Sequence, residues 1–391
     1  MEDQRDSRLH TRPRDGGHGG REDHGYARLR KIHSRQPVTG KGAKEESTVD
    51  LSVKVGNTLL KNPLVLGSAS YTQTAKGLET YIKKGFGAVV TKTVTIKPLE
   101  GSPNPRAFWY DPEEKTMLSG AEALRNPGME SVAKAVAAVK KIAEEEKCLV
   151  VGSVAGNTVE EMSTVAKALV EAGADIIEIN MVCPATGPHL GPDYACLGKY
   201  WSAKPERAVE AISGIRSTVR VPIWAKCVLG NLTSQDFLNK VDKEARPDAY
   251  AYVGGRLPCL VIDVETGKPK FPGNVLLQIE KKIPISPSVT GPVKASTMLH
   301  TAYLARLTET PLIPSGGLRK GDDIIEALMV GASAAQISQA VYRDRDVSLT
   351  MVRKMEAFME RRGIASLQEI FGISLQYIPA PPLLRVPIIT Y

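Results

Sequence analysis

The segment Glu178-Ile179-Asn180-Met181-Val182-Cys183-Pro184 carries the clearest chemical signal in the chain. Isoleucines at 176, 177 and 179 predict a buried strand, which Pro184 ends because proline has no backbone N–H for pairing. Cys183 therefore follows the carboxyl end of a strand, which is the catalytic face of a βα-barrel. A thiol there can be a proton donor, a nucleophile or simply a small buried apolar side chain.

Two lysines close other apolar strands. Lys92 follows Val89-Val90-Thr91, and Lys226 follows Pro222-Ile223-Trp224-Ala225. Each ammonium needs a partner, because burying an unpaired charge is costly. A phosphate-bearing cofactor with an electron-accepting ring would satisfy both lysines, and local carboxylates are the alternative partners.

Small residues after two further strands predict a phosphate site. Pro314-Ser315-Gly316-Gly317 follows the seventh candidate strand, and Gln336-Ile337-Ser338-Gln339 includes and follows the eighth. Loops at these two places in a βα-barrel commonly bind phosphate, and glycine lets their backbone N–H groups approach the anion. Two ordinary tight turns are the alternative interpretation.

Only a closed arrangement of strands would bring these residues together. Candidate strands lie at 63–67, 87–92, 148–153, 176–180, 222–226, 249–253, 311–314 and 334–337. Helical patterns lie between them, for example at 128–146, 158–172 and 204–217. This alternation predicts an α/β fold, a (β/α)8 TIM barrel. A short hairpin around Gly56-Asn57 precedes it, and long catalytic-face loops at about 93–127 and 254–293 interrupt it, the second with a hairpin turn at Thr266-Gly267.

The 391 residues, 42% of them hydrophobic, suffice for one such barrel with appendages. Residues 1–46 hold eleven Lys/Arg and eight Asp/Glu, which predicts a disordered polar tail. Residues 47–375 would form the barrel. Residues 376–391 are apolar and Pro-rich, which favours a strap packed on the barrel over a docking surface for a partner subunit.

Composition argues against several classes of protein. No apolar run reaches about 18 residues, and the N-terminus lacks the apolar segment of a secretory signal. Five cysteines without a Cys-x-x-Cys pair predict reduced thiols in the cytoplasm and no metal site. The net charge is +8, but the sequence shows no recognised nucleic-acid-binding module. We expect neither a membrane nor a nucleic-acid partner.

Motifs in a fixed order resemble the dihydroorotate dehydrogenase family over about residues 50–375. They are Asn62-Pro63-Leu64-Val65-Leu66-Gly67-Ser68-Ala69, Thr91-Lys92-Thr93-Val94-Thr95, Gly101-Ser102-Pro103-Asn104-Pro105-Arg106, Glu178-Ile179-Asn180 with Cys183-Pro184, Ala225-Lys226, Ser315-Gly316-Gly317 and Gln336-Ile337. Together they are specific for an FMN-binding barrel. Tyr194-Ala195-Cys196 and Ile364-Ala365-Ser366-Leu367-Gln368 are similar to the dihydropyrimidine dehydrogenase branch.

The resemblance implies an FMN-dependent oxidoreductase acting on CH–CH groups. A hydride would move between flavin N5 and a C=C/CH–CH bond of a small, cyclic substrate, with Cys183 as proton donor or acceptor. A thiol with a free pKa of about 8.5 can supply that proton at neutral pH. Lys92 and Lys226 would also be catalytic, Lys226 by stabilising the reduced flavin. The implied cofactor-binding residues are Gly67, Ser68, Ala69, Lys92, Thr93, Asn180, Lys226, Val253, Gly291, Gly316, Gly317, Ser338 and Gln339.

Departures from the family concern the substrate. Members of the family bind their pyrimidine through asparagine side chains, of which Asn180 is present in this chain. Gly120, Ala185 and Gly254 stand where other amides are expected, and each unmet buried polar group costs roughly 1–3 kcal/mol. We therefore expect a larger or differently substituted compound than plain orotate or uracil. Its implied contacts are Glu122, Asn180, Gly120, Ala185, Gly254, Gly255, Arg256 and His189.

The electron partner and two other functions stay open. Pyrimidine-reducing relatives bring iron–sulfur clusters that this chain lacks, so a separate iron–sulfur or flavin subunit, or a soluble acceptor, is expected. The family also tends to form homodimers or larger assemblies. One alternative function is a flavin-binding subunit or scaffold of a larger complex. Another is a phosphosugar isomerase or aldolase with Lys92 or Lys226 as a Schiff-base nucleophile.

Overall fold

The computed structural model describes residues 49–101, 107–111, 116–119, 122–184, 191–254, 257–258, 262–269, 288–289 and 293–381. The predicted tail at residues 1–46 and the end of the predicted strap, residues 382–391, lie outside them.

The strands form a closed barrel and three small sheets. They are β1 (Val53–Val55), β2 (Thr58–Leu60), β3 (Leu64–Leu66), β4 (Ala88–Val90), β5 (Ala107–Asp111), β6 (Thr116–Ser119), β7 (Leu149–Val154), β8 (Ile176–Met181), β9 (Ile223–Cys227), β10 (Ala249–Val253), β11 (Leu257–Pro258), β12 (Ile262–Asp263), β13 (Lys268–Pro269), β14 (Ser288–Val289), β15 (Leu312–Ser315) and β16 (Ala335–Ile337). The barrel order is β10-β15-β16-β3-β4-β7-β8-β9, and every pair in it is parallel.

The predicted (β/α)8 barrel is therefore confirmed, with each of its eight strands at its expected place. The strands are nearly all apolar and buried, because side chains fill the barrel on one face and helices cover the other. β8 is buried along its whole length, and so are β3, β4 and β16.

Helices follow the barrel strands. They are α1 (Ala75–Ile82), α2 (Met129–Glu145), α3 (Val159–Glu171), α4 (Lys199–Ser202), α5 (Pro205–Thr218), α6 (Leu229–Leu232), α7 (Gln235–Glu244), α8 (Lys294–Leu304), α9 (Gly321–Met329), α10 (Ala340–Arg343) and α11 (Val347–Arg362). α3 begins after Thr158, whose hydroxyl accepts the N–H of Glu161 at 3.2 Å. Its residues Met162, Val165 and Leu169, spaced three and four apart, are fully buried.

Both predicted hairpins are confirmed. β1 and β2 pair antiparallel around Gly56, whose φ of +59° suits glycine. β12 and β13 pair antiparallel around the Thr266-Gly267 turn. Strands from both long connections also join in a second sheet, in the order β11-β14-β6-β5, which the sequence did not predict.

The described start of the predicted strap packs against the barrel. Leu375 and Ile378 pack on the core, and the guanidinium of Arg306 donates to both of their carbonyl oxygens. Among the described residues, no helix is both long and apolar enough to cross a membrane.

Candidate active site

Asn180 folds the chain around Cys183 just beyond β8. Its side-chain oxygen accepts the backbone N–H of Val182 at 3.2 Å and of Cys183 at 3.1 Å. Its amide nitrogen donates to the carbonyl oxygen of Cys183 at 2.8 Å. Asn180 is itself buried, so a rigid strand end fixes the backbone that carries the thiol.

The returning chain holds the same turn from its other side. A Cβ at Gly198 would lie 2.2 Å from the carbonyl carbon of Cys183, and Gly198 has a φ of +54°. Glycine is thus required there both by conformation and by close approach. Two residues of α4 fix the return, since Trp201 donates to Gly156 O at 2.9 Å and Ser202 donates to Met181 O at 2.7 Å.

Cys183 differs from the two buried cysteines of the barrel. It is half-buried and packs beside a small apolar cluster of Leu124, Ala155 and Leu197. Burial raises the pKa of Cys148 to about 12 and that of Cys227 still further, so both stay protonated. Among the described cysteines, Cys183 is the one at the end of a barrel strand with partial access to solvent.

Lys226 lies in a buried network of three side chains. Its ammonium lies 3.2 Å from Glu178 Oε1 and donates to Gln336 Oε1 at 3.1 Å. The amide nitrogen of Gln336 donates to the other oxygen of Glu178 at 2.5 Å. Glu178 is fully buried, whereas the Lys226 side chain is 14% exposed. Strand register places Lys226 beside Asn180, so this network adjoins the Cys183 turn.

Lys92 also pairs with a carboxylate, but that carboxylate is partly exposed. Its ammonium lies 3.0 Å from Glu122 Oε2, with the lysine side chain 8% and the glutamate side chain 42% exposed. Both lysines therefore have the local carboxylate partner that the sequence left as an alternative. An anion at the barrel mouth would have to share these ammonium groups with them.

Hydroxyl groups line the ends of β3 and β4. The Ser68 hydroxyl accepts the backbone N–H of Thr93 at 2.9 Å, and their hydroxyls lie 3.1 Å apart. Thr93 also contacts the Ser153 hydroxyl at 2.8 Å. Gly67 and Ala69 flank Ser68, so the predicted ring-binding segment lies beside Lys92.

The loops after β15 and β16 hold the residues that the sequence predicts to bind phosphate. Gly316 and Gly317 have φ values of +109° and +73°, and a Cβ at Gly317 would lie 2.4 Å from the backbone nitrogen of Lys294. After β16, the buried amide nitrogen of Gln339 has no hydrogen-bond partner among the described residues. Since a buried donor without an acceptor is costly, these residues fit a phosphate group supplied by a cofactor.

Tyr71 and Ser338 tie the first and last barrel loops together. The Tyr71 hydroxyl donates to the Ser338 hydroxyl at 3.1 Å and to the Ser338 carbonyl at 3.2 Å. Burial raises the pKa of Tyr71 well above its usual value, so it stays a donor. No motif in the sequence pointed to Tyr71.

Gly254 does not enlarge a pocket, contrary to our expectation. A Cβ there would lie 2.2 Å from the hydroxyl oxygen of Thr297 in α8, so the helix already fills that space. Gly254 follows Val253 at the end of β10, and its N–H donates to Ser315 O at 2.7 Å. The other predicted residues Gly120, Ala185, His189, Gly255, Arg256 and Gly291 lie outside the described residues.

Sequence reasoning missed Glu178 as part of the site. The signal was present, since a carboxylate within Ile176-Ile177-Glu178-Ile179 must have a buried partner. Its pairing with Lys226 and Gln336 depends on barrel closure, because Gln336 is 158 residues away in sequence. In the part of the chain with described side chains, no cluster of His, Cys, Asp and Glu could hold a metal ion.

Known proteins resemble the chain in sequence and in fold. Residues 50–239 match the family model for dihydroorotate dehydrogenase. The catalytic subunit of dihydroorotate dehydrogenase B (NAD(+)) from Methanothermobacter thermautotrophicus is 29% identical, over 83% of this chain and 98% of that protein. The subunit of the same name from Pyrococcus abyssi is 28% identical, over 83% of this chain and 99% of that protein.

The fold has a solved counterpart. The crystal structure of DHODH from Eimeria tenella in complex with ferulenol superposes with a TM-score of 0.64 at 18% identity, covering 84% of this chain and 89% of that chain. The sequence matches confirm the predicted resemblance to a family of FMN-binding barrels. At the level of the family, they also confirm the predicted class of enzyme, an oxidoreductase acting on CH–CH groups.

Proposed function

We propose that this chain, which is similar to the dihydroorotate dehydrogenase family over residues 50–239, moves a hydride between flavin and a CH–CH bond of a small cyclic substrate. Cys183 serves as the proton donor or acceptor. The observation that carries this proposal is the position of the Cys183 turn, fixed by Asn180 beside the Lys226 network.

The chemistry balances with one thiol. In the oxidising direction, one substrate carbon gives up a hydride, its neighbour gives up a proton to the Cys183 thiolate, and a C=C bond forms. In the reducing direction, the thiol returns that proton to the carbon next to the one that receives the hydride. Bound FMN would supply the two-electron acceptor or donor.

Residues at the ends of the barrel strands would hold the cofactor. Gly316, Gly317, Ser338 and Gln339 are suited to its phosphate, since they combine two glycines of positive φ with a buried amide donor that has no partner among the described residues. Gly67, Ser68, Ala69 and Thr93 would line the ring, with Lys92, Asn180, Lys226 and Val253 around it.

The relatives make dihydroorotate the first substrate to test, since it is in their name. Our expectation of a different substrate receives no support from them. The lack of extra space at Gly254 also weakens that expectation. The expectation of a different substrate stays a prediction as far as it depends on residues outside the described ranges.

One observation favours an uncharged ring as a second candidate. Glu122 already neutralises Lys92 at 3.0 Å, so a substrate carboxylate would meet an occupied ammonium and a repelling glutamate. A ring with N–H groups, such as a dihydropyrimidine without a carboxylate, would instead find an acceptor in Glu122.

A separate subunit is the proposed electron partner. The relatives are named catalytic subunits, which supports a second chain that exchanges electrons with the flavin. A homodimer or larger assembly of the barrel is proposed from the family's habit alone. A cytoplasmic location also stays a proposal, supported by the reduced state of the four described cysteines.

The test begins with the absorption spectrum of the purified protein and the mass of the released cofactor. FMN and a flavin band at about 450 nm are expected. Dihydroorotate and 5,6-dihydrouracil are then mixed separately with the FMN-loaded protein without oxygen. Loss of the flavin band with either one supports the proposal. A protein that takes up no FMN would overturn it and favour the Schiff-base alternative, whereas bound FMN that neither compound nor a wider panel reduces would favour the scaffold.

A further inference from the structure

We propose that Glu178 lowers the reduction potential of the bound flavin by balancing the charge of Lys226. This inference rests on the proposed FMN site. It assigns a role to a residue that does not reach the barrel mouth. Glu178 would act through Lys226, as a positioning and charge-balancing residue.

Both carboxylate oxygens of Glu178 have partners inside the barrel. The side chain is fully buried within β8. One carboxylate oxygen lies 3.2 Å from the Lys226 ammonium, and the other accepts the Gln336 amide at 2.5 Å. The carboxylate is therefore positioned to act on the lysine.

Gln336 makes the arrangement specific. It donates to Glu178 and accepts from Lys226 at 3.1 Å, which closes a ring of three side chains from β8, β9 and β16. A Cβ at Gly67 would lie 3.5 Å from the same Gln336 oxygen, so this network of three side chains adjoins the proposed flavin-binding segment. The amide thus fixes where the paired charges lie relative to the mouth.

The charge balance has a consequence for electron affinity. A flavin gains negative charge when it is reduced, and a nearby ammonium favours that state. A buried carboxylate on the same ammonium opposes it, and weak screening inside the barrel lets the opposition persist. Glu178 should therefore keep the potential low, which favours passing electrons onward.

The second lysine pair shows why Glu178 is singled out. Glu122 also pairs with a lysine, but its side chain is 42% exposed, so solvent screens its charge. Glu178 is fully buried, so solvent screens its charge much less.

The test is the midpoint potential of FMN-loaded Glu178→Gln, measured by spectroelectrochemistry against the wild type. The glutamine keeps the shape and removes the charge, so the potential should shift in the positive direction, and sulfite should bind the flavin more tightly. Asp175→Asn is the matched control. It removes a partly buried carboxylate from the opposite end of the same strand, where Asp175 accepts the N–H of Val150 at 2.8 Å. Its shift should be clearly smaller. An unchanged or more negative potential in Glu178→Gln would overturn the inference.

A second variant covers the case in which Glu178→Gln does not fold. Glu178→Met removes the charge with an uncharged side chain of similar length, and its potential should also shift in the positive direction. A negative shift or none would again overturn the inference. These readouts need bound FMN but no turnover. Failure to bind FMN in the wild type would instead count against the proposed function.

Discussion

At the scale of single residues, position separates the described cysteines. Cys148 and Cys227 lie in the barrel wall, where burial raises their pKa values and keeps them protonated. Cys183 follows a strand end, and Asn180 fixes its backbone. The sequence predicted this difference, because Pro184 marks the strand end while Cys227 lies within an apolar strand.

Glu122 should set the preference between charged and uncharged rings. In Glu122→Gln, Lys92 loses its carboxylate partner, so a ring carboxylate gains an ammonium and loses a repelling charge. We expect kcat/KM for dihydroorotate relative to 5,6-dihydrouracil to rise about tenfold, or ~1.4 kcal/mol.

Glu79→Gln is the control for that experiment. It removes a comparably exposed glutamate from its ion pair with Lys83 on α1. The ratio should stay at the wild-type value there. A ratio unchanged in Glu122→Gln as well would remove the reason to consider an uncharged substrate.

At the scale of elements, the segment that leads into α4 holds the Cys183 turn. Gly198→Ala forces a Cβ to 2.2 Å from the Cys183 carbonyl carbon, in a left-handed conformation. Gly363→Ala has a similar φ of +64° after α11 but no atom within 4 Å. We expect Gly363→Ala to cost about 1 kcal/mol of unfolding free energy. Gly198→Ala should cost a further ~1–3 kcal/mol.

Flavin reduction distinguishes these two variants independently of stability. Gly198→Ala should slow reduction by substrate, because Cys183 is displaced, while Gly363→Ala should react at the wild-type rate. Equal denaturation curves and equal rates for both variants would mean that the return segment does not position the thiol.

A histidine in α8 should make the stability of the fold depend on pH. His300 is buried in α8, and burial lowers its pKa below the usual value, while its Nδ1 lies 2.6 Å from Ser296 O. The unfolded chain therefore takes up a proton that the folded chain resists. Stability should fall as the pH drops below about 6.5, the ordinary histidine pKa.

His300→Gln should weaken this dependence. Melting temperatures at about pH 5.5 and 7.5 are compared for both proteins, and the wild type should lose more on acidification. An equal loss in both would show that other groups govern acid stability.

The elements were predicted better than the contacts among them. The barrel strands are short apolar runs with helical patterns between them, so periodicity located all eight. The four-stranded sheet from the two long connections could not be foreseen, because β11 and β14 have only two residues each and lie far in sequence from β5 and β6. Gly254 was misjudged for a related reason, since the approach of Thr297 depends on how α8 packs.

At the scale of the whole molecule, the barrel closes the site from strands distant in sequence. β8, β9 and β16 supply Glu178, Lys226 and Gln336, and the loops after β15 and β16 supply the residues proposed to bind phosphate. A motif in any single segment is weak, whereas their arrangement around one mouth supports a redox site. Both lysines are also held in ion pairs with carboxylates, which makes them poor Schiff-base nucleophiles and counts against the aldolase alternative.

Single-turnover reduction of the FMN-loaded protein by substrate, without oxygen, tests the central claim most directly. Wild type and Cys183→Ser are compared at neutral pH, with Cys196→Ser as a control from the same loop. We predict flavin reduction in the wild type and in Cys196→Ser, and a rate lower by about 10²–10⁴ in Cys183→Ser with its flavin still bound. A Cys183→Ser protein that is reduced as fast as the wild type would contradict the account.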